Sequence, residues 1–126
     1  MMAIQYWLNA SAENLEQFLL FLLSRYTDEY RGKFKAKAPV EYPDVGIYHP
    51  KIGRIVESAK EFRAAVPFNP NAGTIGVLML RSYLLSGNRA HYDRFIEEIE
   101  KRGLNALPVY AFGLDGRPAV EKFFLN

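Results

Sequence analysis

Apolar residues follow a helical rhythm early in the chain. Leu15, Phe18, Leu19, Leu22, Leu23 and Tyr26 recur at i, i+3, i+4 spacing and predict a helix with one firmly apolar face. Ser11 is its expected N-cap, and Glu13 sits in the first turn, where a carboxylate favours the positive end of the helix dipole. Leu20 and Phe21 widen the stripe, so this helix is either buried on two sides or offers a surface to a partner outside the 126 residues. A second helical stripe, Ile52, Ile55, Val56, Ala59, Phe62 and Val66, stops before Pro67. Between the two lie Arg31, Lys33, Lys35 and Lys37 with no acid among them, a solvated loop or, alternatively, an anion-binding arm. Residues 39–50 carry Pro39, Pro43, Gly46 and Pro50 and read as an extended or turned connector.

The pattern changes at Thr74. Thr74 to Leu80 is a nearly continuous apolar run of strand length, which predicts a strand covered on both faces. A loop over residues 81–88 follows, with Ser86, Gly87 and Asn88 as turn and capping residues. The next helix runs to about Arg102: Tyr92, Phe95, Ile96 and Ile99 form its buried face, and Glu97, Glu98 and Glu100 its wet one. Lys101, Arg102 and Gly103 are its basic end and C-cap. Leu104 to Phe112 is a second strand, reached by a crossover of the length a parallel βαβ unit requires. The predicted class is α/β, a partial Rossmann-like three-layer unit with a parallel βαβ (strands about 74–80 and 104–112), preceded by helices. Residues 1–38 form an N-terminal helical segment with its basic loop, and residues 39–126 an incomplete α/β domain of a larger subunit. The incompleteness is read from the helix that starts at Pro118, which the chain end is expected to interrupt and which should lead into a third strand. Two such apolar strands alone make a poor sheet. Either another copy completes it or the chain is cut from a larger protein, the preferred reading.

Composition narrows the classes. The 126 residues, 49% hydrophobic and 24% charged, belong to a folded domain. The absence of cysteine excludes thiol catalysis, zinc–thiolate sites and iron–sulfur clusters, and fits a reducing compartment. A net charge of +2 is too mild to advertise nucleic acid or an anionic membrane as partner. The longest apolar run, Phe18 to Leu23, is far short of the roughly 20 residues a bilayer requires. The start, Met1-Met2-Ala3, lacks a secretory leader's basic region, so a cytoplasmic location is expected. The sequence contains no P-loop, no dinucleotide fingerprint, no nucleophile elbow and no His pair at i, i+4. A metal site built from this segment alone is not expected.

Open α/β units place their chemistry at the carboxyl ends of the strands. Those ends supply Arg81, Ser82, Asn88 and His91 after the first strand and Asp115 and Arg117 after the second. Together they make one candidate crevice, in which free backbone N–H groups at residues 88–90 would receive an anion such as a propionate or phosphate. The plainer assignments are that Asp115 shapes its turn, Arg117 pairs with Glu121 and His91 caps a helical turn.

Several blocks in order resemble a known family. They are Ile75 to Asn88, Ala90-His91-Tyr92-Asp93, Arg102-Gly103-Leu104, Pro108-Val109-Tyr110-Ala111 and Gly113 to Phe124, with Val45 to Pro50 upstream. This run is similar to the large H subunit of magnesium chelatase, within the magnesium chelatase and cobaltochelatase large-subunit family, and to an early part of that subunit. His91-Tyr92-Asp93 and the tail from Gly113 resemble the magnesium enzyme more closely. The resemblance implies a subunit that handles protoporphyrin IX and Mg²⁺ as substrates, while two partner subunits, one an AAA+ ATPase, supply ATP hydrolysis in (bacterio)chlorophyll synthesis. It implies no cofactor held by this stretch and carries over no catalytic residue. Within it, Arg81 or Arg117 would meet a porphyrin propionate and His91 would form a cleft wall. The alternative is a structural and docking segment with no substrate contact; a free-standing small α/β protein is the third possibility.

Overall fold

A computed structural model describes residues 2–125 of the chain, which divide into two compact units. One comprises the residues through Tyr42 together with Leu85–Gly87; the other comprises Pro43–Leu84 and the residues from Asn88 onward.

In the first unit, α1 (Met2–Leu8) and α2 (Ala12–Tyr26) are joined at Ser11, whose side chain accepts from the Asn14 N–H. The sequence pattern does not single out α1. Tyr6 is fully buried, stacks on Phe18 with 5.9 Å between ring centroids, and donates its hydroxyl to the Lys37 carbonyl. The packing of α2 departs from its apolar stripe. Its buried residues are the polar Asn14 and Gln17, whereas Leu15, Leu19 and Tyr26 are exposed, Leu19 by 62%. Asn14 and Gln17 are buried because they bind backbone: Asn14 holds both N–H and carbonyl of Val40, and Gln17 accepts the Lys37 N–H at 2.8 Å. Asn9 completes the seam by accepting the Tyr42 N–H at 3.0 Å. The loop behind the basic run is thus tied down through its main chain, and Lys33, Lys35 and Lys37 are exposed.

The second unit is a three-layer sandwich around a four-stranded mixed sheet of order β2-β1-β4-β3. Its strands are β1 (Val45–Tyr48), β2 (Ile55–Val56), β3 (Thr74–Leu80) and β4 (Asn105–Ala111). β3 and β4 pair in parallel from Thr74↔Asn105 to Leu80↔Ala111, joined through α4 (Arg81–Leu85) and α5 (Ala90–Lys101) as the βαβ pattern requires. β1 runs antiparallel to both β4 and β2. α5 covers one face, where Ile96 and Ile99 pack with Tyr48, Val77, Met79, Ala106 and Tyr110. α3 (Ala59–Ala65) and α6 (Arg117–Phe123) cover the other, where Phe62, Ala119 and Phe123 pack with Ile47, Val56, Val109 and Ala111. Pro108 lies within the central strand β4, and β1–β4 pairing stops just before it, at Ile47↔Val109. A proline offers no N–H to a ladder, so Pro108 marks its end.

Five expectations are corrected. The connector at 39–50 contains the buried strand β1, too short and too closely flanked by prolines to show its alternation. The stripe from Ile52 to Val66 is not one helix but a turn, β2 and α3; its i, i+3 spacing is coincidental, and Ser58 caps α3 by accepting the Glu61 N–H. The segment after β3 is not all loop, since α4 begins at Arg81, and Arg89, not residues 86–88, precedes α5. Finally, β3 is not covered on both faces: it is an edge strand with Val77 and Met79 buried and Ile75 and Leu78 exposed by 39% and 47%. Phe95 of α5, expected inside, is likewise exposed.

Candidate functional site

The carboxyl ends of β3 and β4 carry the candidate residues in distinct groups. Arg81 is the most constrained. Only 3% exposed, it donates from one guanidinium nitrogen to Asp44 Oδ1 at 2.9 Å and to the Pro43 carbonyl at 3.4 Å, and its Cζ lies 4.6 Å from the centroid of the Phe112 ring. The same carbonyl accepts from the Tyr110 hydroxyl at 3.2 Å, and burial raises the Tyr110 phenol well above its ordinary range. Arg81 therefore joins the end of β3 to the entry of β1, its charge shared between a carboxylate and an aromatic face.

His91, at the start of α5, is exposed beside two tyrosines. Its ring centroid is 4.1 Å from that of Tyr92 and 5.4 Å from that of Tyr83, the latter edge-on. Tyr92 in turn accepts the Leu80 N–H on its hydroxyl at 3.2 Å, which fixes this aromatic set to the end of β3. Ser82, within α4, and Asn88, in the turn between α4 and α5, are both exposed.

Asp115 and Arg117 close on each other. Arg117 donates Nε to Oδ1 at 2.9 Å and a terminal nitrogen to Oδ2 at 2.8 Å, and its backbone N–H also reaches Oδ1. These hydrogen bonds hold the Asp115 carboxyl down at about 2. A carboxyl titration followed by NMR should place Asp115 near that value, and Arg117→Ala should return it toward the ordinary aspartate range. Because the folded-state value is depressed, any stabilisation from this exposed pair is present above the ordinary aspartate range and is lost as pH falls through the lower value.

A further constellation has no signal in the sequence beyond a lone histidine. His49 is fully buried at the end of β1, with Nε2 2.7 Å from Glu100 Oε1, and its Nδ1 accepts the Lys51 N–H at 3.1 Å. A backbone N–H can only donate, so the ring proton of the neutral imidazole sits on Nε2 and points at Glu100. Lys51 Nζ takes the other carboxylate oxygen at 2.9 Å. Burial alone would raise Glu100, but the hydrogen bonds from Lys51 and His49 outweigh it and hold the carboxyl below its usual range. Lys51 and Glu100 of this triad border a cavity of about 290 Å³ that Phe62, Phe68, Asn69 and Asn105 also line. Nearby, Tyr48 donates to Asp93 at 2.9 Å, and burial together with that carboxylate pushes its phenol up to about 12. Among the described residues no group of three or more His, Cys, Asp or Glu gathers as metal ligands would.

The family model described as CobN/Magnesium Chelatase matches residues 4–126. The chain belongs to the CobN/magnesium chelatase family. It is 48% identical over 125 residues to the magnesium-chelatase H subunit of Rhodobacter capsulatus, which takes in 97% of this chain and 10% of that protein. The corresponding H subunit of Cereibacter sphaeroides is 45% identical over 126 residues, with 98% of this chain and 10% of that protein covered. The chloroplastic magnesium-chelatase ChlH protein of Oryza sativa subsp. indica is 29% identical over 135 residues, 99% of this chain and 10% of that protein. The chain therefore spans about a tenth of the length of the curated relatives it matches. Among solved structures, the catalytic subunit of cobaltochelatase from Mycobacterium tuberculosis shares the fold at a TM-score of 0.55 and 24% identity, over 95% of this chain and 9% of that one. No helix among the described residues of this family member is long and apolar enough to cross a membrane.

Proposed function

We propose that this chain is a building unit of the large, porphyrin-handling subunit of a magnesium chelatase, and that within it the unit is a scaffold and docking element without direct substrate contact. The whole complex inserts Mg²⁺ into protoporphyrin IX for (bacterio)chlorophyll synthesis, a ligase reaction driven by ATP hydrolysis on an AAA+ partner subunit and its companion. It works in the bacterial cytoplasm or the plastid stroma. Identity of 48% to a magnesium-chelatase H subunit across nearly the whole chain supports the membership. The observation that carries the scaffold role is Arg81, whose guanidinium is buried and bonded to Asp44 instead of facing solvent. Arg117 is likewise paired with Asp115. A propionate would have to displace an existing partner at either site.

The exposed Tyr83 and His91 rings, with the half-buried Tyr92 beside them, favour a second reading, in which they wall a porphyrin cleft. Porphyrins stack on such faces. The two readings separate in the full-length subunit carrying His91→Ala. Under the scaffold reading, porphyrin affinity read from the Soret band stays within about twofold of the parent; a loss of about tenfold, some 1.4 kcal/mol, assigns the rings to the cleft. The 126-residue chain alone is expected to leave the Soret band of a soluble porphyrin unshifted and to show no chelatase activity.

A further inference from the structure

We propose that the open edge of β3 is the seat of an additional parallel β-strand, contributed by a part of the full-length subunit outside these 126 residues and reached through α6. The direction of the crossovers carries the inference. From β3 to β4 the chain passes over the α5 face, and from β4 it enters α6 on the opposite face. Parallel crossovers are right-handed in about 98% of cases. A connection over the opposite face must therefore move across the sheet in the opposite sense, from β4 back past β3. The sheet order agrees, because β4 already has β1 on one side and β3 on the other.

The body of α6 packs on β4 and β1 through Ala119 and Phe123, while the residues at its two ends reach β3. A Cβ at Gly76 of β3 would lie 2.6 Å from the Phe124 ring, and one at Gly116 would overlap the Leu78 side chain. The chain leaving β4 thus lies against β3 at both ends of α6, and glycines stand where the approach is closest. The ladder shows what the edge offers. Asn105 lies opposite Thr74 and donates its N–H to the Gly73 carbonyl at 2.9 Å. By the alternation of a parallel ladder, residues 73, 75, 77 and 79 turn their peptide groups toward β4, and Thr74, Gly76 and Leu78 turn theirs outward. The Leu80 N–H is taken by the Tyr92 hydroxyl, but the row over Thr74, Gly76 and Leu78 forms a template for pairing, and β3 has neither a charged side chain nor a proline to block it. The added strand is a segment of the subunit, whose relatives are some tenfold longer than this chain. With it in place, successive crossovers diverge at the carboxyl end of β3, the position where open α/β sheets receive ligands.

Amide hydrogen exchange in the full-length subunit tests this, with Val77 and Met79, bonded to β4, as internal references for a folded sheet. Gly76 and Leu78 should exchange within about tenfold of those references. Exchange of Gly76 and Leu78 faster by about a thousandfold or more, with Val77 and Met79 protected, overturns the proposal. So does protection that disappears on dilution, which would make the occupant a second copy. A structure of the full-length subunit reads the orientation directly: a parallel strand beside β3 is expected, and a bare edge or an antiparallel neighbour refutes it.

Discussion

Gly46→Val should destabilise the α/β unit by about 3 kcal/mol and lower its melting temperature by roughly 10–20 °C. The direction is informative because local propensity argues the other way. Gly46 lies in strand β1 and has no positive φ, so a side chain there would ordinarily gain about 0.5–1 kcal/mol by restricting the unfolded chain. Packing opposes that gain. A Cβ at Gly46 would stand 2.6 Å from the Tyr110 hydroxyl oxygen and 2.8 Å from two of its ring carbons. The ring cannot swing away: it is fully buried between β1 and α5, and its hydroxyl is tied to the Pro43 carbonyl. Overpacking at such a site typically costs about 1–3 kcal/mol, and β-branching places still more volume against the ring. Thermal unfolding by circular dichroism checks the shift. A cycle with Tyr110→Leu checks the cause, since Gly46→Ala should cost less in that background than in the parent. Equal cost in both backgrounds would remove the clash as the explanation.

The elements legible from the pattern of residues are those whose signals agree. The span from Thr74 to Ala111 combines two apolar strands, a helix with a clear wet face and Gly103, whose φ of +75° suits the left-handed turn that ends α5. The parallel βαβ follows from those pieces and their length. What was illegible depends on partners distant in sequence. Four residues of β1 are a strand because β4 and β2 flank them, and nothing within Val45–Tyr48 announces either neighbour. β3 has the composition of a fully covered strand but occupies an edge, and composition reports how apolar a strand is, not how many neighbours it has. The candidate site divides along similar lines. That Arg81, His91, Asp115 and Arg117 lie after the strands is a matter of chain order, whereas the engagement of Arg81 by Asp44 depends on β1 starting across β4 from β3, at the sheet edge where β3 and β4 both end. His49 and Glu100 are 51 positions apart, and only the fold brings them to 2.7 Å.

Asn14→Leu should open the N-terminal helical unit, raising amide exchange at Lys37, Val40 and Tyr42 by about a hundredfold, with the β4 amides as reference. Asn14 is 1% exposed and makes three side-chain bonds: Nδ2 donates to the Asn9 and Val40 carbonyls, each at 2.7 Å, and Oδ1 accepts the Val40 N–H at 2.9 Å. Leucine has similar bulk but leaves all three backbone groups without that partner. At about 1 kcal/mol net for each, the loss is about 3 kcal/mol. A unit of some forty residues has little to spare, since small cores bury a low fraction of their surface. The apolar stripe of α2 offers limited compensation within the unit, because Leu15, Leu19 and Tyr26 are exposed and Phe18, Leu22 and Leu23 only half-buried, while Asn14 and Gln17 are the buried residues. Asn14→Asp supplies a pH test of the same contacts. A carboxylate there keeps an acceptor for the Val40 N–H but sets a negative oxygen against two carbonyls, so the folded state favours the protonated acid and its pKa rises above the unfolded value. Stability is then retained below the ordinary aspartate range and is lost as pH rises through the folded-state value, the reverse of the usual acid denaturation. Exchange at Val40 that is slower at about pH 4 than at about pH 7, after correction for the intrinsic rate, is the expected signature; a variant equally protected at both values would mean that the Asn14 amide donor does not hold this unit together.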